Sequence, residues 1–190
     1  MRHFLIFTLA FALFFGLTSA ALSAQPPPAE KPKSEDASAL LAQEVRHQIH
    51  VLPFYSVFDY IGYTLEGTKV TLTGQVLRPT LKEQAQAAMK DIEGIITVVD
   101  QIEVLPPSPS DDALRDRVYG AIYENPILQR YAVHEVPPIH IIIKNGKVTL
   151  RGSVESLSDK SLAEALTRSV PDVIGVTNDL TVHAPGTVTG

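Results

Sequence analysis

Five of the six histidines are the first residues whose type invites chemistry. His47 and His50 stand three apart, a spacing that puts two imidazoles on one face of a helix. His134, His140 and His183 are scattered further on. A zinc site needs three or four converging ligands, and no third ligand has a fitting position beside the helical pair. His140 alternates with the isoleucines of an extended run, IHIIIK, so it reads as part of a strand. Nucleophilic catalysis has no better footing. The chain has no cysteine, no Gly-x-Ser-x-Gly, no nucleotide-binding loop and no His-Glu-x-x-His. Its carboxylates are spread over solvated faces. The expectation is a chain without enzymatic activity, cofactor or metal; a hydrolase of envelope polymers has no residue set to support it. Net charge is −5, so there is no basic footprint for nucleic acid.

The remaining candidates are surfaces. Over residues 114–123, Leu114, Val118 and Ile122 keep helical spacing. Tyr119 and Tyr123 fall on the opposite side of the wheel. A tyrosine has an apolar ring and a polar tip, which suits a membrane–water boundary. Arg115 and Arg117 flank the pair and could meet lipid phosphate, while Ile127 and Leu128 follow as an apolar tip. Against this, Asp111, Asp112 and Asp116 lie on the same helix and would repel anionic lipid; packing of the tyrosines on a neighbouring domain is the competing reading. A second cluster, PFYSVFDYIGY, carries Phe54, Tyr55, Phe58 and Tyr60. It reads either as a sticky loop for a partner, a glycan or another domain, or as a lid on a small core.

The elements that must position these residues are written twice. Lys69–Val76 reads KVTLTGQV and Lys147–Val154 reads KVTLRGSV. Shifted by 78, residues 67–104 lie on 145–182 without a gap, and twelve of the 38 positions are identical. Chance would give about two at ordinary composition, so one domain has been duplicated. The upstream helix aligns with a shift of 73, leaving small insertions in the second copy near Leu128 and at Pro137-Pro138. Each copy reads as a helix, an extended run (Tyr60–Glu66 or Ile139–Lys144), a tight turn, the repeated strand, a second helix and a last strand (Thr97–Val104 or Gly175–Val182). Asn145-Gly146 is a strong type I′ hairpin signal. Thr80-x-x-Glu83 has the form of a capping box, with Ser158 in the matching place. The β-α-β portion crosses over right-handed, so its strands are parallel. The fold expected is α+β: two α-β-β-α-β domains, each a three-stranded mixed sheet with two helices on one face. Gly74 and Gly152 share strand parity with the core residues, which suggests that they let a helix approach closely.

This duplicated unit resembles the BON domain, the bacterial osmotic-shock and nodulation module. The matching marks are Val70/Leu72/Gly74/Val76 and Val148/Leu150/Gly152/Val154, the turn Gly94-Ile95, and Val176/Asn178/Leu180/Val182. Copy two departs at the turn with Asp172-Val173, and copy one has Asp100 for the Asn. The resemblance implies a periplasmic, non-enzymatic protein that binds phospholipid surfaces and supports envelope integrity or stress tolerance. It also implies lipid contact through the first helix of the second domain.

Residues 1–24 read as a cleavable signal peptide. Arg2 and His3 precede an apolar run from Phe4 to Leu17, then small residues, with cleavage after Ala24 or Ala20. The expected organisation is then a Pro-rich tether (25–39), BON domain 1 (40–104), a linker (105–110), BON domain 2 (111–183) and a tail (184–190). The leading expectation is a periplasmic protein bound peripherally to phospholipid through Arg115, Arg117, Tyr119, Tyr123, Ile127 and Leu128, with Gly74, Gly94 and Gly152 as structural glycines. The alternative is a protein–protein scaffold in the envelope that uses the aromatic loop.

Overall fold

The computed structural model describes residues 33–183. The expected leader, residues 25–32 of the tether and the tail lie outside the described residues. The first copy comprises α1 (Lys33–His50), β1 (Tyr60–Glu66), β2 (Lys69–Val76), α2 (Pro79–Lys90) and β3 (Thr97–Val104). The second comprises α3 (Pro109–Tyr123), β4 (Ile139–Lys144), β5 (Lys147–Val154), α4 (Leu157–Ser169), β6 (Gly175–Asn178) and β7 (Thr181–Val182). Residues 33–39, expected in the tether, are therefore helical; Ala37, Ala39 and Leu40 are strong helix formers. The insertion near Leu128 forms a 3-10 turn, Leu128–Val133, that seats Leu128 and Tyr131 in the core.

Each sheet is mixed. β1 pairs antiparallel with β2, and β2 parallel with β3. β4, β5 and β6 repeat the arrangement, and β7 continues the parallel pairing to β5. Alternation explains which side is buried: Val70, Leu72 and Val76 in one copy, and Val148, Leu150 and Val154 in the other, face the helices and form the cores. Where β3 is continuous, its counterpart breaks at Asp179-Leu180. At both places an Asx side chain accepts from the N–H two residues on: Asp100 from Ile102 at 2.9 Å and Asn178 from Leu180 at 3.3 Å. A lysine of the overlying helix then donates to the carbonyl of that same residue, Lys82 to Ile102 and Lys160 to Leu180, each at 2.6 Å.

The turns follow local chemistry. Asn145 and Gly146 have φ of 53° and 73°, as a type I′ turn requires. In copy one only Gly67 is left-handed, φ 61°, the pattern of a type II′ turn. At the turn after the second helix, Gly94 has φ 97° and Asp172 has φ 72°. The departure from glycine in copy two thus keeps the backbone shape and accepts its strain.

Two expectations are corrected here. Thr80 and Ser158 do not cap the second helices. α2 begins one residue earlier, at Pro79, after Arg78 with no side-chain cap; α4 is capped by Ser156, whose hydroxyl accepts from the Asp159 N–H at 3.1 Å. Proline at the first position supplies a helical φ, and its missing N–H leaves one fewer orphan donor at the helix start. Gly74 and Gly152 do not make room for a helix. Their φ values are 118° and 106°, and an added Cβ would lie 2.0 Å from the Tyr60 carbonyl oxygen or 1.9 Å from that of Pro138. The obstacle is the backbone of the neighbouring strand, because positive φ swings the Cβ position sideways, out of the parity assumed for a regular strand.

Candidate binding surface

Of the six side chains expected at the surface along α3 and at the apolar tip that follows it, three are buried. Arg115 donates to the Ile143 carbonyl at 3.0 Å and pairs with Asp112. Tyr123 donates to the Ile139 carbonyl at 2.6 Å and accepts from the Ile139 N–H at 3.2 Å; burial pushes its phenol pKa above the usual range. Leu128 is fully enclosed. The helical wheel put Arg115 and Tyr123 beside an open face, and a wheel cannot show that β4 and the insertion cover them. The 3-10 insertion and the start of β4 close over the end of the helix. Arg117, Tyr119 and Ile127 remain at the surface, 37% exposed for Tyr119 and 54% for Ile127. Tyr119 leans on Phe58 of the first copy, with ring centroids 6.1 Å apart.

The aromatic loop turns inward as well. Val57 and Phe58 join the core of the second copy. Tyr55 is buried, its hydroxyl accepting from the Ile61 N–H at 3.4 Å. Buried Asp59 fastens the loop, accepting from the Leu77 N–H at 2.8 Å and from the Ser56 hydroxyl at 2.7 Å. Tyr60 lies between Arg151, 5.3 Å from its ring centre, and the His140 ring at 5.6 Å. Only Phe54, 70% exposed, turns outward; its φ is 67°, and the Arg78 guanidinium sits 5.0 Å from its ring. The loop is thus the joint between the two copies.

The histidines do not converge. His47 and His50 are exposed on α1, while His140 is buried in the joint with Nδ1 unpartnered. Burial, with His50 nearby, lowers the His140 pKa to about 4. Among the described residues no three His, Asp or Glu side chains come together as metal ligands.

The hairpin ends were missed by the sequence reading. The gapless alignment pairs Ile96 with Ile174, and both are exposed, at 81% and 74%. Around them the aligned charges reverse. Glu44 and Glu66 of copy one correspond to Arg117 and Lys144 of copy two, and Asp91 and Glu93 correspond to Ser169 and Pro171. Lys69 and Lys90 keep their sign as Lys147 and Arg168. The end of copy one is net acidic. That of copy two is net basic even with Asp172, which pairs with Arg117 at 2.9 Å, and with Asp111 beneath the turn. The signal was present in the alignment as substitutions of opposite sign.

Two mixed sheets, each with its pair of helices in the same order and register, define a duplicated α+β module. The BON domain family model matches residues 39–106 and 110–184, and the chain belongs to that family, whose modules bind rather than catalyse. A search of curated proteins finds no match. Among solved structures, the chain is similar to the C-terminal domain of CdsD, titled the structural protein of the type III secretion system of Chlamydia trachomatis. Identity is 14%, over 75% of this chain and 97% of that one, with a TM-score of 0.28. A second CdsD structure from the same organism gives 12% identity, 77% and 93% coverage, and a TM-score of 0.29. Scores this low carry no functional argument. Among the described residues, no helix is long and apolar enough to cross a membrane.

Proposed function

We propose that the chain is a non-catalytic periplasmic protein that binds anionic phospholipid surfaces through its second BON domain and so supports envelope integrity or stress tolerance. The observation that carries this reading is the basic hairpin end of that domain. Ile174, 74% exposed, packs over the Asn145-Gly146 turn, with Lys147 next in the chain and Arg117 and Arg168 on the adjoining helices. An apolar side chain ringed by cations suits the headgroup boundary, and each basic residue near an anionic surface adds about 1 kcal/mol. Glu103, Asp172 and Glu164 take up part of this charge through Lys144, Arg117 and Arg168, so the contact is peripheral and reversible. Arg117 and Tyr119 extend the surface along α3.

Flotation with phosphatidylglycerol-containing vesicles tests the reading. Wild type should float, and an Ile174→Ser/Lys147→Glu variant should stay at the bottom. Equal behaviour of the two, or equal flotation with uncharged phosphatidylcholine vesicles, would remove the assignment. The scaffold reading keeps only Phe54 of the aromatic loop at the surface, so a protein partner would have to bind elsewhere.

A further inference from the structure

We infer that the first BON domain carries a docking groove for a cationic, apolar polypeptide segment. The groove lies among α1, the β1–β2 turn and the turn after α2, and encloses about 920 Å³, a volume typical of ligand sites. Leu40, Leu41, Ala88 and Ile92 give it an apolar lining, and Glu44, Asp91 and Glu93 also line it.

The second copy shows why the space exists. There, Asp111 accepts from the N–H groups of Asn145 and Gly146 at 2.8 and 2.9 Å, tying α3 to its hairpin turn. Arg115 adds the bond to Ile143, and Arg117 reaches Asp172. The aligned residues of α1 are Ser38, Ala42 and Glu44, none long and charged in the way those ties require. Tyr63 stands where copy two has Ile141, and its hydroxyl donates to the Ala42 carbonyl at 2.8 Å. The larger ring props α1 at mid-helix, and among the described side chains of residues 37–41 none hydrogen-bonds to the turn Gly67-Thr68. One duplicated unit has closed this end and the other has left it open.

Charge selects the occupant. The acidic rim, together with the carbonyl end of α2, disfavours anionic lipid and inorganic anions and favours Lys or Arg. The lining calls for aliphatic side chains beside those cations. Such a segment of a partner protein satisfies both, and this inference does not depend on lipid binding at the other end of the chain.

The test uses the full mature chain and a fluorescein-labelled peptide of alternating leucine and lysine, followed by anisotropy. The expected result is saturable binding, weakened about tenfold when glutamate replaces lysine in the peptide. The same loss is expected for Glu44→Lys/Glu93→Lys, and for Ser38→Trp, which fills the groove from an exposed position. All three sites are on the surface, so circular dichroism should be unchanged, and Ile174→Ser should bind the peptide like wild type. Equal binding of the glutamate peptide, or no loss in the groove variants, overturns the inference. Self-association in light scattering that Glu44→Lys/Glu93→Lys abolishes would assign the groove to a second copy of the chain and overturn it likewise.

Discussion

The main-chain N–H of Ile141 donates to the carbonyl of Val57 at 2.8 Å, across the joint between the two BON domains. β4 is the edge strand of its sheet, and an open edge is a template for unwanted pairing. The loop before β1 covers that edge, and the Val57 side chain is buried in the second domain's core. His140 and Ile142, on the other face of β4, are buried as well.

Val57→Ala should therefore destabilise the second domain although it lies in the first. Loss of a buried valine's methyl groups costs about 1–3 kcal/mol. Urea unfolding read by separate probes in the two domains should show one shared transition for wild type. Two separate wild-type transitions, or a midpoint unmoved by the substitution, would contradict the coupling.

Gly74→Ala and Gly152→Ala should each cost more than about 3 kcal/mol, because a Cβ strikes a fixed carbonyl in a left-handed backbone. If the glycines only spaced a helix, alanine would be a mild change. Denaturant midpoints close to wild type would remove the backbone explanation.

What was legible in the sequence is what depends on neighbours along the chain. The alternation of Val70, Leu72 and Val76, the Asn145-Gly146 turn and the duplication all led to the observed strands and sheet order. The special backbone at Gly74 was not legible, since parity assumes a regular strand. Nor was the burial of Tyr123, because a wheel describes a helix and not the 3-10 turn that folds over its end. Val57 gave no periodic signal: its partner Ile141 is 84 residues away, and only the folded chain shows an aromatic loop spent on joining two domains. The opposed charges of Glu44 and Arg117 were visible in the alignment, yet their meaning needed the exposed isoleucines beside them.

His140 should make the joint sensitive to acid. Its pKa is about 4 in the folded chain, against 6.5 in the unfolded one, so the unfolded state takes up the proton first. Stability from the neutral, buried ring is full above pH 6.5 and is lost as pH falls toward 4. Between pH 7 and 5 the loss amounts to about 2 kcal/mol. His140→Gln removes the titration, so the pH 7 to 5 drop in its urea midpoint should be much smaller than that of wild type. An equal drop in both proteins would place the acid sensitivity elsewhere.

Asp172 links stability to the proposed lipid surface. It holds φ 72° where the first copy has Gly94, and a side chain in the left-handed region costs about 1–2 kcal/mol, less for Asp than for most. Asp172→Gly relieves that strain but gives up the pair with Arg117, which is exposed on both sides and worth about 0–1 kcal/mol. The net effect on thermal stability should be a small gain, up to about 1 kcal/mol. The same change frees Arg117 and removes an anion beside Ile174, so vesicle binding should strengthen, and more so at low salt. Gly94→Asp in the first copy puts in the strain with no arginine to offset it and should destabilise by about 1 kcal/mol. Calorimetry on the two variants, with flotation at two salt concentrations, separates the contributions. A stabilised Asp172→Gly that binds vesicles no better than wild type would mean that this end of the second domain does not face the lipid.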